Sequence, residues 1–220
     1  MNTKTIAIIT VSALFFPACE QGTLEETREF NKEINSVEAS IESTNLEILP
    51  SEDGTTTVEA DVDYYFRKPD FEARIEGSTL VVDLDCRHGC EGWITIHVPV
   101  EVDVLVDNGS GNVLLDGIEG DLDLEAGSGN IKGKNLSSFT ALADVGSGNV
   151  NLEFVETPEY VDLEAGSGNV KATVPYGSYD VSVSVGSGNA DVDDLIDDPD
   201  APNHIRAEAG SGNVTIKGVR

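Results

Sequence analysis

The sequence is poor in aromatic and in basic residues, and each shortage narrows what the protein can be. Phe, Trp and Tyr make up 6% of the 220 residues, whereas hydrophobic residues in total reach 39%. The core must therefore consist mainly of aliphatic and β-branched side chains, which favours thin, repetitive β-structure. Lys and Arg total 13 against 41 acidic residues, for a formal net charge of −28. That balance excludes nucleic acid as a partner, because each phosphate contact needs a cation, and it opposes adsorption to anionic lipid headgroups.

Long apolar runs are scarce as well. The run Ile6–Phe16 has eleven residues, too few to cross a hydrocarbon core of ~30 Å as a helix but typical of the centre of a signal peptide. Cys19 follows closely and looks like the acceptor cysteine of a bacterial lipobox, although Phe16 and Pro17 stand where that motif usually has Leu and a small residue. A signal peptide that is uncut, or cut elsewhere, is the alternative.

The start of the chain therefore predicts an exported protein. We expect residues 1–18 to be a signal peptide and Cys19 to carry a lipid that anchors the chain to a bacterial membrane, on its periplasmic or cell-surface side. Residues 19–35 are polar and charge-rich without clear periodicity, which is typical of a flexible acidic tether.

One tetrapeptide, Gly-Ser-Gly-Asn, recurs six times, at intervals of 18, 19, 20, 20 and 24 residues. Apolar and polar residues alternate on both sides of each copy, as in strands with one buried face. Each repeat is thus predicted to be a strand, a tight turn and a second strand, with both glycines allowing positive φ at the corner. The structural turn residues are Gly109, Asn112, Gly127, Asn130, Gly146, Asn149, Gly166, Asn169, Gly186, Asn189, Gly210 and Asn213.

Two architectures fit this repeat. In a parallel β-solenoid, equivalent positions of successive coils stack ~4.8 Å apart, and a column of identical Asn side chains can form a hydrogen-bonded ladder. In an antiparallel meander or sandwich the corners are not neighbours, so nothing requires them to be alike. The constant Asn therefore predicts an all-β fold: a single-stack parallel β-solenoid over residues 36–220, with about six clear coils and degenerate N-terminal coils.

The two ends of the predicted stack differ. An aromatic cluster formed by Tyr64, Tyr65, Phe66 and Phe71 is expected to cap or pack against an end of the stack, and sugar binding is the alternative. The chain ends four residues after Ile216, so we expect the C-terminal coil to form an open edge where another chain can pair.

The lipoprotein-like start, the Val98-Pro99-Val100 step and the serial GSGNV-type turns resemble the putative-adhesin family of bacterial envelope proteins, a domain of unknown function. The resemblance spans about residues 37–218. It implies a β-solenoid and an adhesin-like or envelope-associated role, and it supplies no catalytic residues.

Cys86 and Cys90 flank Arg87, His88 and Gly89. In an exported protein a disulfide is the first expectation, and Gly89 permits the tight reversal that it needs. The alternatives are free thiols, or a metal site formed by Cys86, His88 and Cys90 with His97 or an acidic residue as the fourth ligand.

An acidic residue precedes most of the turns. Asp107, Glu125, Asp144, Glu164 and Glu208 form this column, which Ser184 interrupts in sequence order, and Lys132, Lys134, Lys171 and Lys217 are expected to offset its charge. The column is predicted to be a solvated face, since like charges ~4.8 Å apart repel by only about 0.9 kcal/mol in water. No cofactor is expected, apart from possible weak Ca²⁺ binding by Asp107, Glu125, Asp144 and Glu164.

Residues 191–200 (DVDDLIDDPD) fall in the longest interval and predict an acidic loop, with a cation site as the alternative. His88, His97 and His204 belong to no recognisable catalytic pattern, and six equivalent serines indicate turn geometry. We therefore predict a non-catalytic adhesin-like interaction module or structural scaffold, which binds the membrane through Cys19 and an unidentified protein or glycan. The alternatives are a carbohydrate-active β-helix enzyme and a regulatory envelope protein.

Overall fold

The computed structural model describes residues 21–86 and 89–220, which form twenty β-strands and no helix. The strands are β1 (Gly22–Phe30), β2 (Ser36–Ile41), β3 (Asn45–Pro50), β4 (Thr56–Tyr64), β5 (Asp70–Glu76), β6 (Thr79–Asp85), β7 (Cys90–Val98), β8 (Asp103–Ser110), β9 (Val113–Asp116), β10 (Leu122–Ser128), β11 (Ile131–Leu136), β12 (Thr140–Ser147), β13 (Val150–Phe154), β14 (Tyr160–Ser167), β15 (Val170–Pro175), β16 (Ser178–Ser187), β17 (Ala190–Asp193), β18 (Ile196–Asp197), β19 (His204–Ser211) and β20 (Val214–Val219).

The strands form two sheets of ten. Sheet I has the order β1-β4-β7-β3-β9-β11-β13-β15-β20-β17, and sheet II has the order β18-β16-β19-β14-β12-β10-β8-β2-β6-β5. Pairing within the described residues is parallel except between β1 and β4, β4 and β7, and β5 and β6. The all-β, largely parallel architecture is therefore confirmed, and an antiparallel meander is wrong for the central strands.

From β6 to β18 successive strands alternate between the sheets, and each Gly-Ser-Gly-Asn corner leads from sheet II into sheet I. The inward positions of both sheets meet in one continuous apolar core. In β14, for example, Val161, Leu163 and Ala165 are buried while Glu164 between them faces outward. Alternating patterning thus produces strands whose buried faces require a partner sheet.

The C-terminal coil does not end the stack, contrary to expectation. Strands β19 and β20 pair with β14 and β15 on one side and with β16 and β17 on the other. The fifth copy of the repeat therefore lies at the end of the stack, and the sixth lies between the fourth and the fifth. The long interval between these copies makes this order possible, because residues 194–203 supply the extra chain needed to step back past β16.

The N-terminal end also departs from sequence order. Strands β2 and β3 are inserted between the β6–β7 pair and the β8–β9 pair, and the antiparallel strands β5, β4 and β1 complete the two sheets. Residues 22–30, within the predicted tether, form the edge strand β1 instead. Its inward Leu24 is buried, and burial of this apolar side chain stabilises the pairing of an otherwise polar segment.

Arg28 of β1 joins the two sheets at this end. Its guanidinium donates hydrogen bonds to the carbonyl oxygens of Ala73 (2.8 Å) and Phe71 (3.2 Å) and lies 4.9 Å from the centre of the Phe71 ring. Of the predicted aromatic cap, Phe71 is buried and Tyr64 packs partly against the core, whereas Tyr65 and Phe66 are exposed. The N-terminal end is therefore closed by Arg28, Phe71 and β1.

The predicted signal peptide and Cys19 lie outside the described residues. Residues 21–86 and 89–220 contain no helix long and apolar enough to span a membrane.

Candidate functional site

The repeated corner depends on two glycines for different reasons. Only the second one has positive φ, between 136° and 144° in the six copies, so the expectation that both glycines adopt positive φ is wrong. The first is required by close stacking: a Cβ on Gly146 would lie 2.7 Å from the carbonyl oxygen of Gly127. At Gly148 a Cβ would lie 1.5 Å from the Gly129 carbonyl oxygen. Any side chain at either position would separate the coils.

The corner asparagines form a hydrogen-bonded ladder. In Asn149, both the backbone N–H and Nδ2 donate to Oδ1 of Asn130, at 3.2 and 2.8 Å. Asn169 repeats this arrangement on Asn149 at 2.9 Å for both bonds. The bonds connect, in spatial order, Asn45, Asn112, Asn130, Asn149, Asn169, Asn213 and Asn189. The Asn column thus has a structural role, and it extends to Asn45 in the degenerate N-terminal part of the stack.

At its N-terminal end the ladder stops at an aromatic residue. Trp93 pairs in register with Asn45, whose Nδ2 donates to the carbonyl oxygen of Gly92 at 3.1 Å. Gly92 has φ 144°, like the second glycine of the corners. Trp93 lies in an open groove of about 440 Å³ lined also by Glu25, Glu59 and Asp61. The sequence did not predict that Trp93 ends the ladder. The only indication in the sequence is that Trp93 directly follows a glycine and lies three residues after Cys90.

The acidic column is continuous in space. Register places Asp107 beside Glu125, Glu125 beside Asp144, Asp144 beside Glu164 and Glu164 beside Glu208 on the outer face of sheet II. Ser184, which interrupts the column in sequence, lies beyond Glu208 at the end of the stack. Partial desolvation, followed by the charge of Glu164, raises the pKa of Asp144.

The expected offset by lysines is wrong. Lys132, Lys134, Lys171 and Lys217 all lie on sheet I, the opposite sheet from the acidic column. Strands β11, β15 and β20 follow the corner, so their side chains cannot face a column that precedes it.

Arg206 of β19 supplies the neutralising charge instead. It pairs with Asp162 at 2.9 Å, Glu164 at 2.6 Å and Glu208 at 3.0 Å. Asp162 and then Glu164 raise the pKa of Arg206 further above its already high ordinary value. Arg206 reaches Asp162 and Glu164 only because β19 lies directly beside β14.

The carboxylates of the column form a row instead of surrounding a point. Among residues 21–86 and 89–220 no group of three or more His, Cys, Asp or Glu side chains is arranged to hold a metal ion. Weak Ca²⁺ binding by Asp107, Glu125, Asp144 and Glu164 stays a prediction, and it would involve neighbouring pairs on an open face.

Cys86 and Cys90 form a disulfide with a Cα–Cα distance of 6.0 Å, as predicted. With both sulfurs in this bond, neither is a thiolate ligand, so the alternative metal site is excluded. His97 of that alternative lies on β7, with Nδ1 3.3 Å from Thr57 Oγ1. The disulfide closes the enlarged corner between β6 and β7.

The acidic segment 191–200 is partly strand. Asp191 and Asp193 belong to β17, and Ile196–Asp197 form the short β18, which pairs with Ser178 and Tyr179 of β16. Asp194 between them has φ 54°, which turns the chain back over the end of the stack.

The described residues do not converge on a reaction centre. The six corner serines pair in register along one exposed column, and none is set apart. His204 Nδ1 lies 3.0 Å from Asp180 Oδ2, an exposed contact at the start of two neighbouring strands. No corner serine is hydrogen-bonded to a described histidine.

Residues 31–217 match the model of the family described as Toastrack DUF4097, and the chain belongs to that family. Among solved structures, a putative cell adhesion protein from Clostridium sporogenes ATCC 15579 aligns with a TM-score of 0.52 at 14% identity, covering 89% of this chain and all of that one. A putative adhesin from Bacteroides fragilis NCTC 9343 aligns with a TM-score of 0.48 at 16% identity, covering 91% of this chain and 98% of that one. No curated protein matches the chain significantly. At these identities the first structure establishes a similar fold.

Proposed function

We propose that this protein is a non-catalytic, lipid-anchored envelope protein whose β-solenoid presents an acidic surface to a protein or glycan partner. The observation that carries the proposal is that the same outward chemistry recurs from coil to coil, as in the five-carboxylate column of sheet II. Enzymes concentrate unlike groups at one point, whereas repeated equivalent groups suit an extended contact surface. The solved structure with the similar fold is described as a putative cell adhesion protein, which supports the same class of role.

The N-terminal sequence supports the membrane attachment in this proposal. The apolar run followed by Cys19 resembles a lipoprotein signal. Two acyl chains bury enough methylene groups to hold a protein stably at a bilayer. A net charge of −28 keeps the solenoid itself away from anionic headgroups.

The anchor is tested by comparing the native chain with Cys19→Ala in cells given radioactive palmitate. The native chain is expected to be labelled and to fractionate with membranes, and the variant to be unlabelled and released. Labelling of both forms would contradict lipidation at Cys19.

The binding role is tested by cross-linking in the same two strains, followed by purification of the chain. The native protein is expected to recover a defined partner that the released variant loses. Hydrolysis of an envelope polysaccharide by the purified chain, measured as new reducing ends, would overturn the non-catalytic proposal in favour of a carbohydrate-active enzyme.

A further inference from the structure

The two ends of the stack are finished differently. At the N-terminal end, Arg28 and the antiparallel strand β1 close the core. At the other end β17 is the last strand of sheet I, and all four of its residues are exposed. Strand β18 covers only the first part of β16 in sheet II.

The core is consequently open at the β16–β17 coil. Val161, Leu163 and Ala165 of β14 are buried, whereas the equivalent Val181, Val183 and Val185 of β16 are only partly buried. In sheet I, Val192 is 39% exposed although its neighbour Ile216 is fully buried. These side chains have apolar surface that a further strand would cover.

The last corner also has unused hydrogen-bonding groups. In the preceding coil, the N–H of Gly212 donates to the carbonyl oxygen of Ser187 and the N–H of Val214 donates to that of Asn189. The corners of the four coils before it repeat both bonds. No coil follows the last corner in the described part of the chain, so the equivalent donors of Gly188 and Ala190 face outward. A partner backbone can therefore continue the existing pattern.

Charge determines which partner suits this edge. Residues 191–200 include six aspartates and no basic residue, and Asp191 and Asp193 alternate with Ala190 and Val192 along β17. A strand with apolar residues facing the core and Lys or Arg facing outward would cover Val192 and pair with both carboxylates. A second copy would bring another net charge of −28, and its own edge strands β1 and β17 are also acidic.

We propose that the edge of β17 is a docking site for an extended, basic segment of a partner protein with alternating aliphatic residues, which adds a strand to sheet I. This inference rests on the proposed function as a binding module and specifies the chemistry of its partner. The corner donors of Gly188 and Ala190 and the exposed Val192 set the register, and Asp191 and Asp193 select for positive charge.

The experiment measures fluorescence anisotropy of labelled synthetic peptides with the full-length chain purified in a neutral detergent. The basic strand peptide KVKVTVKV is the probe. The acidic peptide EVEVTVEV controls for charge, and KVKPTVKV has the same charge but lacks the central backbone donor. KVKVTVKV is expected to bind with an affinity at least about ten-fold higher than that of either control peptide.

Three variants locate the site. Ala190→Pro removes one outward donor, and the double variant Asp191→Asn/Asp193→Asn removes the two charges from β17. Each is expected to weaken binding of KVKVTVKV about ten-fold, whereas the matched double variant Glu156→Gln/Glu159→Gln, with the same change in net charge, should alter it less than about two-fold. If Ala190→Pro loses its cooperative melting, the aspartate variant alone decides.

Equal binding of KVKVTVKV and KVKPTVKV, or equal effects of the two charge variants, would overturn the docking site in favour of general attraction to an acidic protein. No peptide binding would overturn it too, and dimers in sedimentation that Ala190→Pro abolishes would assign the edge to a second copy. Peptide binding without a partner in cells would instead contradict the proposed function alone, so the two failures are distinguishable.

Discussion

At the scale of single residues, the corner glycine combines two constraints. Gly148 has φ 144° and no room for a Cβ, whereas Gly54 has φ 79° with no heavy atom within 4 Å of a Cβ. Gly54→Ala should therefore cost about 1 kcal/mol, from backbone conformation alone. Gly148→Ala should cost more than about 3 kcal/mol, because the Gly129 carbonyl oxygen must also move. Urea unfolding followed by circular dichroism measures both, and equal costs would contradict the close stacking.

The Asn ladder predicts a dependence on position. Asn149→Ala removes the Nδ2 donor to Asn130 and the acceptor of two bonds from Asn169. Asn189→Ala, at the end, removes one long bond of 3.5 Å to Asn213. We expect a loss in unfolding free energy of about 2–3 kcal/mol for Asn149→Ala and under about 1 kcal/mol for Asn189→Ala. Similar losses would mean that the ladder contributes little beyond the corner backbone.

The acidic column predicts a pH effect at Asp144. Its pKa is raised in the folded protein by desolvation and by Glu164, so the folded state holds the proton more readily than the unfolded state. The ionised carboxylate therefore lowers stability at pH 7, and this penalty disappears below the ordinary Asp value near pH 4. Asp144→Asn should raise Tm by about 1 °C at pH 7, with no difference near pH 3. Glu156→Gln, outside the column, is the calorimetric control.

At the scale of strands and coils, the structure predicts an unusual protection order. In a solenoid that follows sequence order, the C-terminal coil would exchange its amide hydrogens fastest. Here β19 and β20 have neighbours on both sides, whereas β17 is an open edge. Hydrogen exchange read by mass spectrometry should therefore show slower exchange over residues 204–219 than over residues 181–193. The reverse order would contradict the inserted coil.

The repeat was enough to predict the coil itself but not the order of the coils. Alternation around each Gly-Ser-Gly-Asn copy defines which residues face inward, and the constant Asn indicates parallel stacking. Neither feature specifies which coil lies beside which, because the interior positions of β16 and β19 are similar aliphatic residues. Arg206 and the continuous acidic column follow from that order, so sequence reasoning missed both. Strand β1 was missed because polar residues dominate it and only Leu24 is fully buried.

At the scale of the whole molecule, net charge opposes compaction. The net charge is −28 and the acidic column lies on one sheet, so the folded chain repels itself. This repulsion should weaken when salt screens the charges. Raising NaCl from about 10 mM to about 300 mM, where the Debye length falls from about 30 Å to below about 8 Å, should therefore raise Tm. A Tm that falls or stays constant in differential scanning calorimetry would contradict a destabilising effect of this self-repulsion.

Calcium provides a more specific version of this test. If neighbouring carboxylates among Asp107, Glu125, Asp144 and Glu164 bind Ca²⁺, millimolar CaCl₂ should raise Tm more than NaCl of equal ionic strength. Glu125→Gln/Asp144→Asn should remove the difference. Calorimetric titration with no heat and no specific shift in Tm would contradict the prediction.

The insertion of β19 and β20 has a consequence for biogenesis. In a sequential stack, a chain synthesised from its N-terminus could fold each coil onto the previous one as it emerges. Here the place beside β14 and β15 belongs to β19 and β20, which are synthesised after β16 and β17. That place must stay vacant, or be given up by β16 and β17, until residues 204–219 have emerged. The native order of strands is thus reached only after β20 has been made, which couples docking of β16 and β17 to synthesis of the strands that follow them.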